Sequence, residues 1–323
     1  MSSEPRHAEL PEELRPVMSK AVRLEWITIA YMVSAVVVVG LTLGQSQAMK
    51  AVWVEDILSI LPPVAFLIAA RVRHKPPDAE HPWGYHRITS IAFLASALAL
   101  LLFGLIILGD SLFKLAKAER PPVGVMPLFG YEPWAGWLML AALVYSGAPP
   151  VLLGRMKQKL ASQLHDKVLY ADAQMNRADW MTAAAGAVGV IGIGFGLWFA
   201  DAVAGALISL DIVRDGVRHV KAAGKELMDA RPTTYDLERP HPLVADCERA
   251  LHELDWVRDV RVRLREEGHV FAGEAHVVPV SEEHLNERLH QAADRLLDLD
   301  WRLHDIVVAP ATADGFDQLA PKG

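Results

Sequence analysis

The chain has 323 residues, 52% of them hydrophobic, with a mean hydropathy of +0.20 and a formal net charge of −7. That acidic balance counts against nucleic acid as a partner, since no basic face stands out to neutralise phosphates. A single cysteine, Cys247, leaves no internal disulfide and no Cys-rich zinc site.

Residues 1–25 are polar, acidic and proline-bearing, without a short apolar core and small-residue cleavage site, and are expected to be a cytosolic tail. Six apolar segments follow at spanning length, taken as about 20 residues. They lie at 26–44, 48–70, 88–114, 134–153, 168–193 and 197–213, within a membrane region of 26–230. Lys and Arg alternate sides. Arg15, Lys20 and Arg23 precede the first segment, and Arg71, Arg73, Lys75 and Arg87 separate the second from the third. Arg155, Lys157, Lys159 and Lys167 separate the fourth from the fifth, and Arg214, Arg218, Lys221 and Lys225 follow the sixth. The other loops hold only Lys117 and Arg120. The asymmetry predicts a multi-pass membrane protein with both termini cytoplasmic.

The second segment carries Glu55, Asp56 and Ser59 ahead of Pro62-Pro63. Glu55 and Ser59 share a helix face, and the proline pair predicts a kink inside the span. The third and sixth segments mix small residues with large ones, which predicts close helix packing or dimerisation. The fifth segment carries Asp172, Asn176 and Asp179 at i, i+4 and i+7, on one stripe. An ionised carboxylate in hydrocarbon costs at least about 2.5 kcal/mol, so these acids are expected to face a polar interior or an ion path. Rise per residue puts Ser59 about 16 Å and Asp179 about 21 Å from the outer face, so the two groups can meet near mid-membrane. The plain structural alternatives are that Arg177 neutralises Asp179 or Glu55, and that Asp172 pairs with Lys167. Met175 by itself is more often packing than a ligand.

Residues 231–323 read as a separate α+β domain. Helical periodicity at 243–254 is followed by alternation at 257–264 and 269–280. A helix over 281–297 opens on Ser281-Glu282-Glu283, and a short strand covers 305–309. The order αββαβ predicts two helices on a three-stranded sheet, a core small enough to benefit from docking to a second copy.

The motifs DAEHPWGYHR at 78–87, LYADAQMNRAD at 169–179, FADA at 199–202 and ELMD at 226–229 resemble, in order and spacing, the cation diffusion facilitator family of metal/proton antiporters. The resemblance covers nearly the whole chain. It implies an α-helical membrane protein with six transmembrane helices and a cytosolic metallochaperone-like domain, acting as a homodimer in the lipid bilayer. It also implies a secondary transporter that exports a divalent metal cation in exchange for protons by alternating access.

Residue by residue, the family's tetrahedral transport site falls on Glu55, Ser59, Met175 and Asp179. Only Asp179 is the usual residue there. The oxygen donors nearby (Glu55, Asp56, Ser59, Asp172, Asn176, Asp179) suit a harder ion such as Mn²⁺ or Fe²⁺ better than zinc. The favoured arrangement has Glu55, Asp56 and Asp179 as charged ligands, with Asp172 or Asn176 in support. A second family position falls on the loop residues Asp78, His81 and His86. The C-terminal domain lacks a ligand in its last strand, so dimerisation without a structural metal is expected. No permanent cofactor is expected, and the absence of a G-x-S-x-G elbow or an H-E-x-x-H helix argues against an enzyme. The competing reading is a transport-silent scaffold or metal sensor with a degenerate site.

Overall fold

A computed structural model describes residues 10–42, 53, 56–73, 75–118, 135–197 and 199–312. Glu55 and the outer part of the predicted second span lie outside the described residues. The first element, α1 (Arg15–Thr42), begins well before the apolar segment and buries Met18, Ala21, Leu24, Glu25, Thr28, Met32, Ala35 and Val39 along one face. A helical turn at 56–58 and a bend at 59–60 lead into α2 (Leu61–Val72). Pro62 and Pro63 therefore occupy the first turn of a new helix, where a missing N–H leaves no hydrogen bond unmade. The expected kink is a break instead.

Next come α3 (Ile88–Lys117), α4 (Ala135–Leu164), α5 (Lys167–Gly194) and α6 (Ala200–Leu227). Helices α4 and α6 run well past the apolar segments, since hydropathy marks where lipid ends and not where backbone hydrogen bonding ends. By length and composition, α1, α3 and Gly136–Leu164 of α4 can each cross a membrane. Ile91, Leu98, Leu102, Val144, Leu152, Leu207 and Leu210 are exposed on the bundle's flank, as a lipid-facing surface requires.

The packing of α3 against α6 is as close as their small residues predict. A Cβ on Gly104 would stand 2.9 Å from the Val213 backbone nitrogen, and one on Gly216 would stand 2.6 Å from the Leu101 Cα. Between α4 and α5 the chain reverses in two residues. His165 takes φ 51°, and Asp166 Oδ1 accepts from the Leu169 N–H at 2.9 Å, capping α5.

The C-terminal domain follows the expected order: α7 (Leu243–His252), β1 (Val257–Glu267), β2 (Val270–Pro279), α8 (Leu285–Leu299) and β3 (Leu303–Pro310). The central strand β2 pairs antiparallel with β1 and parallel with β3. Cys247, Leu251, Phe271, Val277 and Leu296 fill the core between helices and sheet. Helix α8 starts later than predicted. His284 sits in the left-handed region and forms no side-chain cap, so Ser281 lies outside the helix.

The two parts meet through the β1–β2 turn. Lys167 Nζ donates to Glu226 Oε2 at 3.0 Å and to Glu266 Oε2 at 2.6 Å, joining α5, α6 and β1 in one buried cluster. His269 sets its Nδ1 3.1 Å from the Leu164 carbonyl oxygen and its Nε2 3.2 Å from Asp166 Oδ2. At Gly268, φ is +70° and a Cβ would stand 2.6 Å from the Thr89 Cβ, so only glycine lets this turn reach α3.

Candidate metal centre

The stripe Asp172, Asn176, Asp179 on α5 divides into two polar layers. In the layer farther from the C-terminal domain, Ser59 Oγ donates to Asp179 Oδ1 at 2.7 Å. Ser146 of α4 donates to Asp56 Oδ1 at 3.1 Å. All four residues are buried, and the Asp56 and Asp179 charges act on one another. Each carboxylate keeps its second oxygen, Oδ2, buried and without a hydrogen-bond partner among the described residues. Two acids and two hydroxyls from α4, α5 and the 56–60 turn thus converge about 18 Å along α5 from Lys167.

The prolines of α4 shape this layer. Pro149 and Pro150 carry no N–H, which leaves the carbonyls of Tyr145 and Ser146 without their helical donors. The Tyr31 hydroxyl from α1 reaches those two carbonyls at 2.8 and 2.7 Å. One side chain therefore closes the gap and fixes the stretch that carries Ser146.

The second layer, about 10 Å nearer the C-terminal domain, is an ion triad. Lys157 Nζ of α4 lies 2.6 Å from Asp172 Oδ2 and 3.0 Å from Glu25 Oε2 of α1, with side chains 0%, 1% and 0% exposed. Asn176 Nδ2 donates to the Asp172 carbonyl oxygen at 3.0 Å. Asp172 is thus held by Lys157, and Lys167 is committed elsewhere. Arg177, weighed as a partner for Asp179, instead pairs with Asp211 of α6 at 3.0 Å. Met175 packs among Phe103, Ile107 and Ile212, away from both layers.

In the loop before α3, Asp78 Oδ2 accepts from the Tyr85 hydroxyl at 2.6 Å, and Oδ1 accepts from the Glu80 and His81 N–H groups. The Tyr85 hydrogen bond and the His81 N–H hold this carboxyl down at about 2. His81 stacks on Tyr85, whereas His86 packs edge-on against His304 of β3, so the two histidines face different partners.

Among the described residues, no three His, Cys, Asp or Glu side chains are grouped to hold a metal. Asp56 and Asp179 bring two acids together, and Glu55 lies outside the described residues. Reasoning from sequence missed Ser146, Tyr31, Glu25 and Lys157. A usable signal was the second Pro-Pro pair, at 149–150, which mirrors the one at 62–63.

A family model described as the cation efflux transmembrane domain matches residues 24–228. The chain is similar to the manganese efflux system protein MneS of Bacillus subtilis, at 30% identity over 206 residues covering 62% of this chain and 65% of that protein. It is also similar to the uncharacterized transporter YdbO of the same organism, at 26% over 282 residues, covering 86% and 89%. Against the manganese efflux system protein MneP, also of B. subtilis, identity is 24% over 234 residues, covering 70% and 72%.

Proposed function

The chain belongs to the cation efflux family, and from that membership we propose that it exports a divalent metal cation from the cytoplasm in exchange for protons, by alternating access. It is an integral membrane protein, and we read six spans within 26–230, both termini on the cytoplasmic side of a bacterial inner membrane, and 231–323 as a regulatory and dimerisation domain. One observation carries the reading. Asp56 and Asp179 each give one oxygen to a serine donor and hold the other buried without a partner. A bare carboxylate oxygen in such a place is costly, and either a proton or a cation relieves it. Metal and protons then compete for the same atoms, the physical basis of exchange.

The proposed ligand set is Glu55, Asp56 and Asp179, with Ser59 and Ser146 orienting the carboxylates. Asp172 belongs to the ion triad, with Asn176 hydrogen-bonded to it, and Met175 to packing. An all-oxygen set favours Mn²⁺ or Fe²⁺ over Zn²⁺, and the manganese-exporting relatives agree with that preference. Inverted vesicles given Mn²⁺, Fe²⁺, Co²⁺, Ni²⁺, Zn²⁺ or Mg²⁺ test it. Mn²⁺ uptake coupled to proton release is expected, and Asp179→Asn abolishes both. Equal flux in wild type and Asp179→Asn contradicts the reading; metal binding without flux in the wild type points to a sensor.

A further inference from the structure

Beyond the transport path, α6 ends in a basic stripe that marks the cytoplasmic side but takes no part in the proposed ion site. Arg214, Arg218, Lys221 and Lys225 recur at i, i+4, i+7 and i+11, so they lie on one face of the helix, and all four are exposed. Together with Arg231 of the following linker they line a cavity of about 440 Å³. That volume falls within the range of ordinary ligand sites, about 300–1,000 Å³. Two carboxylates at its floor, Glu226 and Glu266, are already bridged by Lys167. Arg218 donates to the Asp236 carbonyl oxygen, and the Asp215 carboxylate, 3.7 Å from Arg177, lies within electrostatic reach of Arg214 and Arg218. Arg214, Lys221, Lys225 and Arg231 make no ion pair among the described residues. In a chain of net charge −7, the lining gathers six cations, Lys167 among them, against two carboxylates, Glu226 and Glu266.

We propose that this cavity binds a phosphate-bearing anion. It lies just beyond the apolar segment at 197–213, where basic pockets at helix ends meet the headgroups of anionic lipids. A phospholipid headgroup and a soluble phosphate share the required chemistry. Occupancy would span α6 and the linker, the two strands of chain that lead into the C-terminal domain.

The test uses the full-length protein, purified and stripped of lipid in neutral detergent, with thermal unfolding followed against added ligand. Three additions are compared: inorganic phosphate, phosphatidylglycerol in mixed micelles, and phosphatidylcholine in the same micelles. Stabilisation by phosphatidylglycerol but not phosphatidylcholine assigns a lipid headgroup. Stabilisation by inorganic phosphate assigns a soluble ligand. Each basic side chain beside an anionic surface contributes about fivefold, so Arg214→Gln/Lys221→Gln weakens the response roughly 30-fold. Arg231→Gln, off the helix, weakens it about fivefold by the same measure. Arg155→Gln/Lys159→Gln, an exposed pair on α4, leaves it unchanged. Indifference to all three additions overturns the proposal, as does equal loss in the two double variants.

Discussion

Lys157 is an ammonium with no exposed surface, placed between carboxylates from two other helices. Removing one member of such a group strands the rest, at a cost of about 3–5 kcal/mol. Lys157→Met is therefore expected to lower the melting temperature sharply, while replacing Glu25, Lys157 and Asp172 together by Gln, Met and Asn recovers most of the loss. An unchanged melt for Lys157→Met would mean the triad contributes nothing. Hydropathy misassigned this residue. It ends the fourth apolar segment at 153 and leaves Lys157 in a loop, but α4 continues to Leu164 and carries the lysine into the bundle. The acids of α5 were legible because a charge in an apolar run stands out. Ser59 was legible as well, beside Glu55, whereas Ser146 and Tyr31 were not, because they are unremarkable until the fold brings them together.

At the scale of elements, two proline pairs set the backbone around the candidate site, in different ways. The pair at 62–63 begins α2, and the pair at 149–150 lies inside α4, whose freed carbonyls take the Tyr31 hydroxyl. Losing that single donor costs about 1–3 kcal/mol if no other group replaces it. Tyr31→Phe is expected to reduce stability by that order and to raise amide exchange at 145–150. Exchange confined to its wild-type rate there would show that the hydroxyl does not support α4. The strands of the C-terminal domain were readable in sequence, because alternation reports directly on which face is buried. Helix α8 was readable too, but not its start, because a Ser-Glu-Glu opening marks a cap only where the backbone turns at the serine, and here it turns at His284.

Across the whole molecule, the β1–β2 turn joins the helical bundle to the C-terminal domain. Gly268→Ala places a methyl against Thr89 in a left-handed backbone, a strain of about 1–2 kcal/mol. Faster exchange at 266–270 and 164–168 is expected, with β2–β3 pairing unaffected; no change at either stretch would show that the junction tolerates the methyl. The junction also predicts a pH response. Burial, then the neighbouring His165 and Arg302, hold His241 down to about 4 from 6.5. Its Nδ1 faces the Leu243 N–H and its Nε2 faces the Arg302 guanidinium, both donors, so neither ring nitrogen meets an acceptor and an added positive charge sits beside a cation. A depressed histidine is neutral in the folded chain and takes a proton only on unfolding. Stability is therefore complete above pH 6.5 and falls between 6.5 and about 4, by about 3 kcal/mol at most. Glu266 is held below 4.5, because hydrogen bonds from His165 and Lys167 outweigh the opposing effect of burial, so its contribution is lost only at lower pH. His241→Gln is expected to flatten the upper part of that profile, and a melt equally pH-dependent in this variant would assign the response elsewhere.

Everything functional rests on Asp56 and Asp179 offering buried oxygens to a cation. Equilibrium Mn²⁺ binding to the purified full-length protein, followed by loss of the free-ion electron paramagnetic resonance signal, measures this directly. Asp56→Asn and Asp179→Asn should each weaken binding at least about tenfold, the loss of one charged ligand, while Asp78→Asn, whose oxygens are already taken up by Tyr85 and the loop backbone, leaves it unchanged. Wild-type affinity in both membrane variants would contradict the account.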